Sequence, residues 1–152
     1  MGSSGLQSLI VGIIHTHLMV SRDKKRFVVF TNEAGVHVDL GNNFSCNIAI
    51  YKKGTFEITT HYFNTVPKTV IKVDIKADTT NTTDLTYITE KIQTLFDFGV
   101  ERVLWVPSQQ RRVFVAAPGQ DWLLIDWANN ASVMENITLS VKQLLDGERI
   151  AY

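Results

Sequence analysis

Asp74 and Lys76 stand two residues apart in the run Val70-Ile71-Lys72-Val73-Asp74-Ile75-Lys76. On an extended strand, residues i and i+2 project to the same side. A carboxylate and an ammonium placed in this way suit metal-assisted phosphodiester hydrolysis. The carboxylate holds Mg²⁺, which polarises the phosphate and acidifies a water. The lysine orients that water and offsets charge in the transition state. A D-x-K spacing arises often by chance, so the surrounding elements must carry the reading. Other chemistries find less support. His15, His17, His37 and His61 include no zincin pair, and His15 and His17 lie about 200° apart on a helix. The lone cysteine, Cys46, permits no intrachain disulfide and no cysteine zinc cluster. Its apolar run predicts a buried, inert thiol. There is no G-x-S-x-G, no P-loop and no G-x-G-x-x-G.

The elements that position Asp74 are legible from periodicity. Ser4 to Met19 places Leu6, Leu9, Ile10, Ile13, Ile14 and His17 at helical spacing, with Ser3 or Ser4 as cap. The charged run Arg22 to Arg26 reads as a solvated turn. Strands follow at Phe27 to Phe30, Val36 to Leu40 and Phe44 to Tyr51, with Gly41-Asn42-Asn43 as turn chemistry. Phe56 to Asn64 fits no single class. The strand Val70 to Lys76 is aliphatic at Ile71, Val73 and Ile75, and charged at Lys72, Asp74 and Lys76. Asp84 is the expected cap of a second helix, Leu85 to Phe98, closed by Gly99. Val103 to Val106 reads as a strand buried on both faces. Arg112 to Ala116 and Trp122 to Trp127 form an expected hairpin, and Leu139 to Leu145 a short final helix. Strand, helix and strand over 70–106 make a βαβ-like crossover. The predicted class is α/β with a mixed β-sheet flanked by helices.

Composition bounds the rest. The chain has 152 residues, 45% hydrophobic and 20% charged, which fits one globular domain over 1–152. Fifteen basic and fifteen acidic residues balance, so no global field draws the chain toward nucleic acid or membrane. Leu9 to Ile14 is far short of the ~20 apolar residues that span a bilayer, and no signal-peptide pattern is present. The expectation is a cytoplasmic protein without membrane partners. Trp105, Trp122 and Trp127 sit in apolar surroundings and are expected to pack in the core.

The order of these parts resembles the Uma2 family, described as restriction endonucleases of the PD-(D/E)XK nuclease-like fold. The resemblance spans nearly the whole chain. It runs from the opening helix through Asn47-Ile48-Ala49-Ile50-Tyr51, Pro67, the strand Val70 to Asp78 and a helix holding Tyr87 and Lys91. It continues through Phe98-Gly99-Val100-Glu101-Arg102-Val103-Leu104-Trp105-Val106 to Asp121-Trp122. The glycine-valine-glutamate turn entering a tryptophan-bearing strand is the most specific segment.

The resemblance implies a restriction-endonuclease-like mixed sheet, a Mg²⁺-dependent site acting on DNA, and a homodimer. It also implies an aspartate where this chain has Asn47 and a glutamate where it has Lys72. The family lysine is matched by Lys76 or Lys91. The family's further acidic residue before the first helix has no match here. The two departures move the site about three charge units toward positive. Each unit near 4 Å is worth roughly 4 kcal/mol at an effective dielectric constant of about 20, and a divalent cation doubles that. Mg²⁺ affinity at that position should therefore fall sharply. Two readings follow. In one, Asp74 is the working Mg²⁺ ligand, with Lys76, Lys72 and Lys91 as catalytic cations and Asn47 and Glu33 as auxiliary ligands. In the other, the fold is kept, the site is degenerate, and the chain binds nucleic acid or protein, or dimerises, without catalysis. Lys72 and Lys76 would then form a cationic patch for phosphate.

Overall fold

The computed structural model describes residues 3–39 and 42–152. Leu40 and Gly41, part of the expected strand and turn, lie outside the described residues. Helix α1 spans Gly5–Ser21, and the Ser4 hydroxyl caps it by accepting from the Gln7 N–H. Its buried residues Ile10, Ile14 and Leu18 recur every four positions, so one stripe faces the core.

The strands β1 (Phe27–Phe30), β2 (Ala34–Asp39), β3 (Asn42–Cys46) and β4 (Ile48–Lys52) form one long bent hairpin. β1 pairs antiparallel with β4, and β2 with β3. The bend falls where Thr31, Asn32 and Glu33 oppose Asn47 and Ile48. Asn32 and Glu33 both take left-handed φ values, 62° and 59°. That conformation costs about 1–2 kcal/mol per non-glycine residue, so something must hold it. The expected strand Phe44 to Tyr51 is accordingly two strands, broken at Asn47.

β5 (Thr69–Asp74), helix α2 (Thr82–Phe98) and β6 (Arg102–Pro107) form the expected crossover, with β5 and β6 parallel. β7 (Arg112–Ala116) and β8 (Leu123–Asp126) add the expected hairpin. The six-stranded sheet has the order β1-β4-β5-β6-β7-β8. Its β5–β6 pair is parallel and its other pairs are antiparallel. A two-stranded ribbon that periodicity did not reveal, β9 (Ala131–Met134) with β10 (Ile137–Leu139), precedes helix α3 (Val141–Gly147). The last helix therefore starts at Val141, capped by Ser140, and Leu139 is a strand residue.

Alternation along the central strands divides the core in two. Ile71, Val73, Leu104 and Val106 pack with Ile10, Ile14 and Leu18 of α1 and Leu145 of α3. Val70, Val103 and Trp105 pack with Ile88, Ile92 and Leu95 of α2. Both faces of β5 and β6 are thus covered, which is why their sequences read as nearly continuous apolar runs. Lys72 breaks the run. It is paired in register with Trp105 on the α2 side of the sheet.

Two boundaries differ from the sequence expectation, with consequences for the site. β5 stops at Asp74, so Lys76 lies in the bend beyond the strand and the alternation that would align it with Asp74 no longer applies. Helix α2 is capped by Asn81, whose side-chain oxygen accepts from the N–H groups of Thr83 and Asp84. Asp84 sits inside the first turn and accepts from the Asp78 N–H at 3.0 Å. Gly99 ends the helix at φ 119° and its N–H returns to the carbonyls of Leu95 and Phe96. Among the described residues, no helix is long and apolar enough to cross a membrane.

Candidate functional site

The bend in the long hairpin brings Glu33, Ser45, Asn47 and Lys72 together. Asn47 is 4% exposed. Its side-chain oxygen accepts from the Val73 N–H at 2.7 Å, standing in for a ladder bond that β4 no longer supplies. Its Nδ2 donates to Glu33 Oε1 at 2.9 Å. The Ser45 hydroxyl donates to Glu33 Oε2 at 2.6 Å, and Lys72 Nζ donates to the Ser45 carbonyl at 3.2 Å. Both carboxylate oxygens of Glu33 are thus engaged, which offsets the strain of its left-handed backbone. Cys46 lies between Ser45 and Asn47, fully buried, with its thiol donating to the Ala34 carbonyl. Burial pushes that thiol up to about 12, so it stays protonated and inert, as its apolar run predicted.

Asp74 faces its own backbone. Its Oδ1 accepts from the N–H groups of Lys76 at 3.3 Å and Ala77 at 3.2 Å, a turn that ends the strand. The Lys76 side chain is exposed. Beyond it, Asp78 organises the loop into α2. Its Oδ1 accepts from the Thr80 hydroxyl at 2.6 Å, the Thr80 N–H at 2.9 Å and Gln110 Nε2 at 2.5 Å. These bonds, Thr80's first, hold the Asp78 carboxyl below the usual carboxylate range. Gln110, from the 3-10 turn Ser108–Gln110, accepts in return from the Thr79 N–H and hydroxyl. The loop read only as polar is therefore pinned to the C-terminal end of β6.

A strip of aromatic and cationic side chains continues from Lys72 across the α2 side. Trp105, its register partner, is 1% exposed. The ring of Phe44 lies 6.5 Å from that of Trp105, and Tyr87 meets it edge-on at 6.2 Å. Tyr87 is 53% exposed, and Lys91 Nζ lies 5.8 Å from its ring centroid. The indole N–H of Trp105 is buried with no hydrogen-bond partner among the described residues. Trp127 is buried as expected, and Trp122 is half-buried against Phe96 and Phe114.

Of the site residues named from sequence, Glu33, Asn47 and Lys72 are therefore gathered around Ser45. Asp74 and Lys76 share a turn at the strand end. Lys91 stands on α2 against Tyr87, whose ring meets Trp105, the register partner of Lys72. Ser45, the hub, was not singled out. Its only signal was a polar residue among apolar ones in Phe44-Ser45-Cys46-Asn47-Ile48. Asp78 and Gln110 are far apart in sequence, and nothing local announced their pairing.

Mg²⁺ takes near-octahedral oxygen ligands at about 2.0–2.1 Å and is typically held by one or two carboxylates. Among the described residues, no group of three or more His, Cys, Asp or Glu is placed to hold a metal ion. Around Asn47 the one carboxylate, Glu33, is occupied by Asn47 and Ser45, and an ammonium stands at Ser45. The side chains there do not fit a divalent cation in this arrangement.

The architecture is similar to a solved structure. The crystal structure of a protein from Anabaena variabilis ATCC 29413, titled "a putative nuclease belonging to DUF820", matches with a TM-score of 0.74 over 96% of this chain and 83% of that one. The fold is nuclease-like. Sequence identity is 16%, so the likeness extends to the fold alone: a mixed sheet flanked by helices, as the sequence predicted, with most of its strand pairs antiparallel. No family model matches the chain, and no curated protein matches it.

Proposed function

We propose that this chain binds nucleic acid on the Lys72 side of its nuclease-like fold and does not cleave it through a bound metal ion. The observation that carries this reading is the state of Glu33. Its carboxylate is hydrogen-bonded to Asn47 and Ser45, while Lys72 is fixed to the Ser45 carbonyl beside it. A site that would gather cations by carboxylates instead presents an ammonium. Lys72, with Lys91 and Lys76, offers charge to phosphate oxygens, and phosphate contacts supply sequence-independent affinity. The chain's balanced total charge makes this a local attraction. The binding should therefore be moderate and steeply salt-dependent.

The test is fluorescence anisotropy with labelled DNA oligonucleotides across a salt series, with and without Mg²⁺. The expected result is binding that weakens as salt rises, a slope that falls by roughly one phosphate contact in Lys72→Met, and no cleavage. The other reading makes Asp74 a Mg²⁺ ligand and Lys76 its partner in DNA hydrolysis. Mg²⁺-dependent cleavage abolished by Asp74→Ala would establish that reading and overturn this one. Absence of any binding by the wild-type chain would overturn both.

A further inference from the structure

We infer that this chain carries a second phosphate-binding surface, at the end of the sheet opposite the Asn47 bend, and that this surface receives the backbone of a nucleic-acid duplex. The inference rests on the nucleic-acid reading above and adds to it a surface distinct from the Lys72 side. Four neighbouring strands finish together at this edge. β1 begins at Phe27, β4 ends at Lys52, β5 begins at Thr69 and β6 begins at Arg102. Backbone hydrogen bonds tie the adjoining residues into the same edge. The Lys53 N–H donates to the Arg26 carbonyl at 2.8 Å, the Lys68 N–H to the Ile50 carbonyl at 2.7 Å, and the Glu101 N–H to the Lys68 carbonyl at 3.0 Å. The turn into β1 supplies Arg22, Lys24, Lys25 and Arg26. The strand ends supply Lys52, Lys53, Lys68 and Arg102.

Eight of the fifteen lysines and arginines are thus drawn to one edge. Four of the fifteen acidic residues accompany them: Asp23, Glu57, Glu101 and Glu135. Over the rest of the chain seven cations are outnumbered by eleven carboxylates. A chain of zero formal charge is therefore positive at this end and negative elsewhere, and such a separation steers charged partners. The local carboxylates do not neutralise the edge. Glu135 holds Arg26 at 2.8 Å and Glu101 holds Lys68 at 3.1 Å. Arg22 turns its guanidinium to the carbonyls of Phe27 and Met19. Lys24, Lys25, Lys52, Lys53 and Arg102 have no salt-bridge partner among the described residues. The four lysines are exposed. Like charges gathered without partners repel one another, so the fold itself gains nothing from this arrangement.

The spacing fits a phosphate backbone. Neighbouring strands lie about 4.8 Å apart, so the edge from β1 to β6 spans roughly 14 Å. One strand of B-DNA places a phosphate about every 3.4 Å along the axis, so that span faces roughly four phosphates. Between Lys52 and Lys68 the edge is hollowed by a cavity of about 280 Å³, which Thr55 and Glu101 also line. The cations stand on strand ends and on a hydrogen-bonded turn, which holds them at set intervals. A duplex repeats its charges at set intervals too, whereas anionic lipids ask only for positive charge near their surface.

The experiment follows the anisotropy of a labelled twelve-base-pair DNA duplex across a salt series. Wild type and Lys72→Met are compared with a variant that combines Lys24→Gln, Lys25→Gln, Lys52→Gln and Lys53→Gln. Arg112→Gln with Lys142→Gln removes charge from β7 and α3 as a control, and each protein is checked by thermal melting. The slope of log K against log salt falls by about 0.9 for each phosphate contact removed, so the four-lysine variant should lose roughly 3 to 4 units of slope. The control should match wild type. An equal loss per charge in the control would make total charge the cause and overturn the inference. Duplex binding that is indifferent to the four-lysine variant and weakened by Lys72→Met would overturn it and leave the Lys72 reading standing. The reverse pattern would support it and overturn the placement at Lys72. Sedimentation with phosphatidylserine-containing vesicles, lost in the four-lysine variant and without duplex binding, would assign the edge to a lipid surface and overturn both. No binding of either probe would also overturn both.

Discussion

Replacing Asn47 should expose how much of the fold hangs on the hairpin bend. In Asn47→Ala the buried Val73 N–H loses its acceptor, and Glu33 loses the Nδ2–H donor. An unsatisfied buried donor costs about 1–3 kcal/mol. The bond to Glu33 adds less, about 0.5–1 kcal/mol, because that carboxylate is exposed and screened. The expected loss is about 2–4 kcal/mol, which lowers Tm by roughly 5–15 °C in a domain of this size. Asn47→Asp separates the two contributions. The substituted side chain keeps an oxygen for Val73 but sets a carboxylate against Glu33, at a cost of about 1–3 kcal/mol after allowance for exposure. Adding Glu33→Gln should recover most of that cost. The amide that replaces the Glu33 carboxylate donates through its Nε2 to the new carboxylate and still accepts from Ser45 through its oxygen. Urea denaturation of wild type, the two single variants at position 47, Glu33→Gln and the double variant is the assay, read as a double-mutant cycle. If Asn47→Ala lies within about 0.5 kcal/mol of wild type, the range of an ordinary surface substitution, the account of the bend is wrong. If Glu33→Gln fails to rescue Asn47→Asp, the pairing of the two side chains is wrong.

Placing carboxylates at positions 47 and 72 is expected to create metal affinity. In Asn47→Asp with Lys72→Glu, millimolar Mg²⁺ should raise Tm by several degrees, since a ligand that binds only the native state must stabilise it; wild type should not shift, and equal shifts in both would refute the argument from charge. The depressed Asp78 carboxyl sets an acid-side dependence. A folded value below the unfolded one gives stability that is full above the ordinary carboxylate range and is lost as pH falls through the depressed value. Asp78→Asn should flatten the fall in Tm between about pH 5 and pH 2, and an unchanged profile would remove Asp78 as its cause. Gly99→Ala should lower stability by about 1–2 kcal/mol, because φ 119° suits glycine and a Cβ would lie 3.3 Å from Val66; a neutral result in urea titration would mean that the helix end rearranges freely.

The parts legible in sequence are those governed by periodicity. The apolar stripe of α1, the double-faced runs of β5 and β6 and the crossover through α2 all follow from burial, and burial writes a regular pattern. The parts that were not legible depend on a single side chain competing with the backbone. Asn47 ends one strand and begins another because its amide replaces a ladder bond, yet in sequence it sits between apolar residues that read as one strand. Asn81 starts α2 three residues before Asp84 for the same reason: its side-chain oxygen takes the N–H groups of Thr83 and Asp84. The ribbon of β9 and β10 has strands of four and three residues, too short for alternation to declare itself. At the candidate site, Asn47 and Lys72 were conspicuous by type. Their attachments, Asn47 to Glu33 and Val73 and Lys72 to the Ser45 carbonyl, depend on the bend and so could not be read from spacing.

The bend also explains why Asn47 and Lys72 belong together. Two carboxylates at positions 33 and 47 would repel one another unless a cation lay between them or one of them took a proton. An amide at 47 solves the same problem without metal: it accepts from Val73 on one side and donates to Glu33 on the other. Once that is done, a third carboxylate at 72 would again be unpartnered, next to a Glu33 already engaged by Asn47 and Ser45. A lysine there is favoured, because its ammonium reaches the Ser45 carbonyl and balances Glu33. Asn47 and Lys72 therefore hold the bend jointly, by hydrogen bonds closed within the chain. This predicts strong coupling between the positions. Lys72→Glu alone should be more destabilising than Lys72→Met, because it adds an uncompensated charge beside Glu33. The difference should shrink when Glu33→Gln is added, and a difference that persists unchanged would mean that the two positions do not share one electrostatic environment.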